Sequence, residues 1–306
     1  MTRPALGSIG VMLCAMLVSA GCSRAREATP TGKSFPTPQA AVQALSDAAA
    51  TRDVDAVLAI FGPDGKALVD TSDPDTARQG RQVFVAAMRE GWHLTDQAST
   101  KVLVIGNEQW PFPVPLVNDA GGWRFDTAAG QQELIARRIG RNELTVIRLC
   151  RTYVAAQQIY ASTAHDGSRP GVFAASFRSS PGKQNGLYWQ TRTGERRSPL
   201  GELLEGAEQR SDAAGEATPF HGYYFRILAS QGSSATGGPM DYRIDGQMTG
   251  GFALVAWPAY YDASGIMTFI VNRDGVVYEK DLGPDTATAV AGLGSYDPDP
   301  SWTKVE

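Results

Sequence analysis

Met267-Thr-Phe-Ile-Val-Asn-Arg-Asp-Gly-Val-Val-Tyr-Glu-Lys280 is the stretch on which the fold turns. Apolar residues run from Ile266 to Asn272, Asp274-Gly275 interrupts them, and a second run follows from Val276 to Lys280. Asp-Gly between apolar runs is the strongest short-range hairpin signal, because both central residues of a type I′ turn need positive φ. A second Asp-Gly, Asp245-Gly246, joins Tyr242-Arg243-Ile244 to a run that ends in Phe252 to Trp257. In that last run Phe252, Leu254 and Ala256 alternate with Ala253, Val255 and Trp257. Both faces are apolar, so the strand belongs in the middle of a sheet. Tyr223 to Leu228 reads as another strand. Nineteen of the 27 aromatic residues lie after Arg151, which gives this half the material for an aromatic-rich antiparallel sheet.

Upstream, Gln131 to Tyr160 has helical spacing, with a break expected near Gly140 and Asn142 as a cap for the second part. Its polar face carries Arg137, Arg138, Arg141, Arg148 and Arg151 among glutamates, as a solvated face does. Cys150 sits in the apolar pattern as a small buried residue. Before this helix, Thr37 can cap and Pro38 can start a helix through Ala41, Val42, Leu45 and Ala49. A short helix spans Val54 to Phe61, Lys66 to Asp70 suits a strand, and Thr76 to Trp92 suits a helix. Val102 to Ile105 reads as a strand, Phe112 to Val117 as a proline-marked edge strand, Asn118 to Gly122 as a turn, and Trp123 to Phe125 as the returning strand. The expected class is α+β. Its N-terminal part is a helix-plus-antiparallel-sheet cone of NTF2-like or cystatin-like type (36–140). Its C-terminal part is a long helix packed on an aromatic-rich antiparallel sheet (141–306).

Residues 1–21 have the form of a lipoprotein signal peptide. Arg3 supplies the positive start, Pro4 to Leu17 the apolar core, and Ser19, Ala20 and Gly21 lead into Cys22. Cys22 is the expected lipidation site, and the acyl chains would anchor the protein to a membrane. The competing reading is an ordinary signal peptide cut near Ala20. Ser23 after the cysteine resembles outer-membrane sorting, so the expected place is the bacterial cell envelope, facing the periplasm. Residues 22–35 are polar and apolar-poor, as a flexible tether is. The net charge of −4 is spread without runs, which argues against nucleic acid as a partner. With Cys14 removed and Cys22 acylated, Cys150 has no partner for a disulfide.

Recognition comes from longer strings. Thr218-Pro-Phe-His-Gly-Tyr-Tyr-Phe-Arg-Ile-Leu228, Gly251-Phe-Ala-Leu-Val-Ala-Trp-Pro258 and Met267 to Gly283 resemble the bacterial DUF2950 family. The likeness extends through Arg148-Leu-Cys-Arg-Thr-Tyr153 and back to Thr37-Pro-Gln-Ala-Ala41. It implies an exported envelope protein and supplies no catalytic residue to carry over.

Chemical motifs are sparse. The chain has no Gly-x-Ser-x-Gly, no His-Glu-x-x-His and no phosphate loop. His93, His165 and His221 are far apart in sequence. Asn272 to Asp281 resembles part of a calcium loop, but its first ligand would be Ile270, so the hairpin reading prevails. Asp297-Pro-Asp-Pro300 reads as a solvated tail. The binding candidates are His221, at a loop-to-strand junction with Tyr224 and Asp241 nearby, and the aromatics Tyr223, Trp257, Tyr260 and Tyr261, with Tyr188 and Trp189 as further platform residues. No catalytic residue, metal or cofactor is expected. The expected function is a non-catalytic interaction module with an envelope protein partner. A small-ligand or glycan-binding protein is the alternative, and a hydrolase built on His221 and Asp241 a third.

Overall fold

Thr37 opens the first helix as its sequence suggests. Its Oγ accepts the Ala40 N–H at 3.1 Å, with Pro38 as the first helical residue of α1 (Pro38–Thr51). The computed structural model describes residues 32–69, 74–191, 194, 197–201 and 218–306. The signal segment and Cys22 lie outside them. The stretch expected as a tether has joined the fold by residue 32. Lys33 N–H reaches Ala59 O, and buried Phe35 exchanges two backbone hydrogen bonds with Trp123, at 2.7 and 2.8 Å.

Asp53 caps α2 (Val54–Phe61) through Ala56 N–H. A 3₁₀ turn (Pro63–Gly65) then leads into a short helix α3 (Lys66–Val69), where a strand was expected. Four residues are too few to separate a period of 2 from one of 3.6. Lys66 continues the turn in helical conformation, at φ −56°. Helix α4 (Pro74–Glu90) stops at Gly91, φ 148°, so Trp92 begins a strand rather than ending the helix.

That strand, β1 (Trp92–Gln97), pairs with β2 (Thr100–Ile105) over Ala98-Ser99. Ala98 takes φ 51° without the Gly or Asn that would have announced a turn. The proline-marked segment is not one edge strand. β3 (Trp110–Pro111) pairs briefly with β2, the chain leaves the sheet, and it returns as β4 (Leu116–Asp119) between β2 and β5 (Gly122–Phe125). Pro113 and Pro115 fall in the gap, where no ladder donor is needed. Phe61, Phe112 and Phe125 pack under this sheet, with the Phe61 and Phe125 rings 5.3 Å apart.

Helix α5 (Thr127–Ala161) runs unbroken for 35 residues, about 50 Å at 1.5 Å per residue. Gly140 does not interrupt it, since an interior glycine costs only about 1 kcal/mol. Asn142 is no cap: it donates its side-chain N–H to Ser264 O at 2.8 Å. The first turns meet the N-terminal cluster, where Gly130 leaves room for Val114. Further along, Val146, Cys150, Tyr153, Gln157 and Tyr160 form a buried stripe at helical spacing on the second cluster. The arginine face is not merely solvated. Arg137 donates to Pro111 O, Arg138 to Ala263 O and Arg151 to Glu306 O, tying loops and the C-terminus to the helix.

The second sheet is built on β6 (Tyr223–Leu228), followed by β7 (Ser230–Gln231), β8 (Met240–Asp241), β9 (Arg243–Ile244) and β10 (Gln247–Met248). Then come β11 (Ala253–Pro258), β12 (Met267–Asn272), β13 (Val277–Asp281), helix α6 (Thr286–Gly292) and β14 (Thr303–Lys304). The strand order β14-β13-β12-β11-β6 puts β11 inside the sheet with five of its six residues buried, as its two apolar faces require. The chain is thus α+β, with one antiparallel sheet before the long helix in the sequence and another after it.

Asp245 and Gly246 take φ 51° and 77°, the type I′ pair expected. At the other Asp-Gly only Gly275 has positive φ. Its N–H closes the turn on Asn272 O at 3.0 Å, so that hairpin uses a type I turn followed by a glycine bulge. The acidic tail is not a loose end either. Asp297 accepts Ser234 N–H at 2.7 Å, and Asp299 accepts both the Ser301 hydroxyl and the Ser301 N–H, which hold its carboxyl below the usual range, the hydroxyl most.

A candidate ligand pocket at the end of the long helix

Helix α5 ends in a compact knot. Ser162 Oγ–H donates to Ile159 O at 2.7 Å. The chain then reverses through Asp166 and Gly167, both with positive φ. His165 N–H donates to Ser168 Oγ and Ser168 N–H returns to His165 O, which holds the turn closed. Gln157, fully buried, acts as a short piece of strand. Its amide donates to Ala174 O and accepts Ala174 N–H, both at 2.9 Å. Tyr160 Oη–H donates to Gln184 O, and Asp166 accepts Gln184 N–H at 2.6 Å. Burial, aided by Asp166, pushes the Tyr160 phenol up to about 12, so it stays a donor.

These ties fold the His165 ring onto Tyr160, centroids 4.1 Å apart and planes 12° apart, with Trp189 at 5.6 Å. The imidazole is 94% buried, being 6% exposed. Nε2 lies 3.0 Å from Tyr160 O and 3.0 Å from Thr163 Oγ. A carbonyl only accepts, so Nε2 carries the proton and the Thr163 oxygen shares it. In the neutral ring Nδ1 is then a bare lone pair. It has no partner among the described residues. Capping of the helix end explains Nε2 and leaves Nδ1 unexplained, and a buried acceptor without a donor is costly.

The ring borders a cavity of about 260 Å³, which Ile159, Trp189, Arg197 and Pro199 also line, with the Ser162 and Thr163 hydroxyls at its edge. Between Arg197 and Pro199, the Ser198 side chain is buried, and its Oγ also lacks a partner among the described residues. A second concavity of about 500 Å³ lies over β7 and β8 as an open groove. Its polar groups are already engaged: Gln231 holds Thr236 O and Gly238 O, and Asp241 accepts Arg243 N–H.

The sequence candidates lie elsewhere. His221 is exposed and, with Gly222, forms a type I′ turn closed by paired hydrogen bonds between Phe220 and Tyr223. Its ring meets Phe220 edge-on at 4.5 Å. Tyr223 is fully buried, its Oη–H donating to Met267 O at 3.0 Å. Trp257 is half-buried beside Tyr224, with the Arg226 guanidinium 5.8 Å above it. Tyr260 is 70% exposed, and Tyr261 donates to Asp281. None of these five lines the His165 cavity. Of the platform aromatics, only Trp189 does. His165 gave no sequence signal beyond a histidine after a long helix, because its partners are a backbone carbonyl and residues brought in by the turn.

A family model described as "Protein of unknown function (DUF2950)" matches residues 32–305. No curated protein and no solved structure matches the chain.

Proposed function

The chain belongs to the DUF2950 family, and from that premise we propose that it is a lipid-anchored binding protein of the bacterial envelope. It holds a small ligand at the end of α5. One observation carries this reading: a 94% buried imidazole, whose Nδ1 has no partner among the described residues, stands in the wall of a cavity of about 260 Å³. Aliphatic and aromatic walls with a few converging polar groups are how small-molecule sites are built. The export pattern of residues 1–22 supports the envelope as its place, with acylated Cys22 as the anchor and the periplasm as the compartment it faces.

A thermal-shift screen of the full chain against a small-molecule library tests this. A ligand at a hundred times its Kd should stabilise the fold by about 2.7 kcal/mol, and His165→Phe should erase that gain. Hits that survive His165→Phe, or no hits at all, would count against the pocket. A second reading, contact with an envelope protein, draws on exposed Ile244 at the tip of the β9–β10 hairpin and on exposed Met240 in β8. Crosslinking in cells, with and without Cys22→Ala, separates the two.

A further inference from the structure

Tyr223 opens β6 with both of its backbone groups turned away from the sheet. Its N–H donates to Phe220 O at 3.1 Å, and its carbonyl accepts Phe220 N–H at 2.8 Å. Gly222, one residue earlier, turns the other way and accepts Ala259 N–H beyond the end of β11. Hydrogen-bonding direction alternates along a strand, so Phe225, Ile227 and Ala229 point outward like Tyr223, while Tyr224, Arg226 and Leu228 point to β11. Ala229 bears this out, since its carbonyl accepts Tyr242 N–H at 2.7 Å. Phe225 and Ile227 have no such partner. β6 ends the strand order of its sheet, and no hydrogen bond closes their N–H or C=O groups among the described residues. Both residues are half-buried, so this edge meets solvent.

The gap is bounded at both ends. Phe220 closes it at Tyr223 and Tyr242 closes it at Ala229, about 20 Å apart at roughly 3.3 Å per residue. Two donors and two acceptors in a row ask for the same set in return, and an extended backbone supplies it at matching spacing. A second copy of β6 does not fit, because it brings its own Phe220 turn and its own β8 to the ends of the gap. A separate segment of about five residues does. Its residues opposite Phe225 and Ile227 share the face of those two side chains, which pack against the second cluster, so both are apolar. The residue between them lies beside Arg226, whose guanidinium is already given to Val290 O and Leu293 O, and no charge is called for there. At the Ala229 end begins the groove over β7 and β8, where exposed Met240 offers apolar surface to the segment as it leaves.

We propose that β6 is a docking edge for an extended, apolar-x-apolar segment of another polypeptide, paired antiparallel as the strands of the sheet are. This gives the protein-contact reading above a site and rests on that reading, not on the His165 cavity.

Hydrogen exchange of the full chain, read by ¹H–¹⁵N NMR, tests it. In the free protein the Phe225 and Ile227 amides should exchange at least about tenfold faster than those of Tyr224 and Arg226, which are paired. The probe is a pool of capped pentapeptides with Val, Ile, Leu or Phe at the second and fourth positions and Thr elsewhere. It should slow exchange at Phe225 and Ile227, and the same pool N-methylated at those two positions should not. Ile227→Pro removes only an outward N–H, which an edge strand tolerates, and should cancel the effect at Phe225. Slow exchange in the free chain would show the edge already covered and overturn the proposal. Slowing that grows with protein concentration would assign the edge to a second copy, and fast exchange that the pool leaves unchanged would show no docking; either overturns it. Crosslinking in cells separates this from the reading it rests on. A partner captured by wild type and lost with Ile227→Pro supports the edge. A partner captured equally by both places the contact elsewhere, and none in either removes both ideas. If Ile227→Pro folds poorly, the N-methylated pool decides.

Discussion

The His165 imidazole donates Nε2–H to the carbonyl of Tyr160, 3.0 Å away, while lying flat on the ring of the same tyrosine. One residue thus fixes both the tautomer and the plane of the histidine. The arrangement caps the last turn of α5 and leaves Nδ1 without a partner among the described residues. Replacing His165 by Phe keeps the stack and removes the cap. We expect a loss of about 1 kcal/mol in chemical unfolding, with the far-ultraviolet circular dichroism unchanged. His165→Ala also loses the ring contacts with Tyr160 and Trp189 and should cost about 2–3 kcal/mol.

Glu143 fastens the long helix to the second sheet. Its Oε1 accepts the N–H groups of Ile266 and Met267, both at 2.9 Å. Glu143→Ala leaves both donors unpaired and should destabilise the fold by about 2–3 kcal/mol. Glu143→Gln retains an acceptor and should cost less than half as much. Equal losses in urea melts would mean that the charge, not the acceptor, matters.

Glu279 lies close enough to Glu143 to feel it. Burial first, and then the Glu143 charge, raise the Glu279 carboxyl above its ordinary 4.5. A folded value above the unfolded one means the stabilisation is present below about 4.5 and lost as pH rises through the folded value. Glu279→Gln should therefore raise the melting temperature at neutral pH and leave it unchanged at strongly acid pH. A variant less stable than wild type at pH 7 would contradict this.

Gly265 is a glycine for want of space. A Cβ there would stand 2.0 Å from Tyr223 Oη and 2.4 Å from its ring, and that ring is fully buried in the core of the second sheet. Gly265→Ala should cost about 1–3 kcal/mol, as overpacking does. The double variant with Tyr223→Phe should recover part of that loss, because the hydroxyl is the nearest clash.

Cys150 should be chemically silent in the native state. Its thiol is fully buried, and burial pushes it up to about 12 against the opposing charge of Arg151. With Cys14 and Cys22 replaced, thiol reagents at pH 8 should label the protein only after unfolding. Labelling at the rate of a free thiol would show that α5 opens.

The elements that local pattern announces are the ones the sequence made legible. Thr37-Pro38 predicts its helix start, Tyr223–Leu228 is a strand over the residues expected, and β11 is interior because both of its faces are apolar. The misreadings come where distant partners decide. β1 escaped notice because Ala98 adopts left-handed backbone without a glycine, and Asn142 looked like a cap because its true acceptor, Ser264 O, is 122 residues away. The site was least legible of all. His221 stood out for its aromatic neighbours, yet it builds a turn. His165 stood alone in sequence and owes its setting to a carbonyl, a stack and a cavity wall assembled by the fold.

The account depends most directly on which imidazole nitrogen of His165 carries the proton. Long-range ¹H–¹⁵N correlation of the full chain, at a pH well above the ordinary imidazole value of about 6.5, reads it without any ligand. The account predicts a protonated Nε2 held by Tyr160 and a bare Nδ1. A proton on Nδ1 with the lone pair at Nε2 would contradict it, since that nitrogen would then face the Tyr160 carbonyl, which it cannot bond.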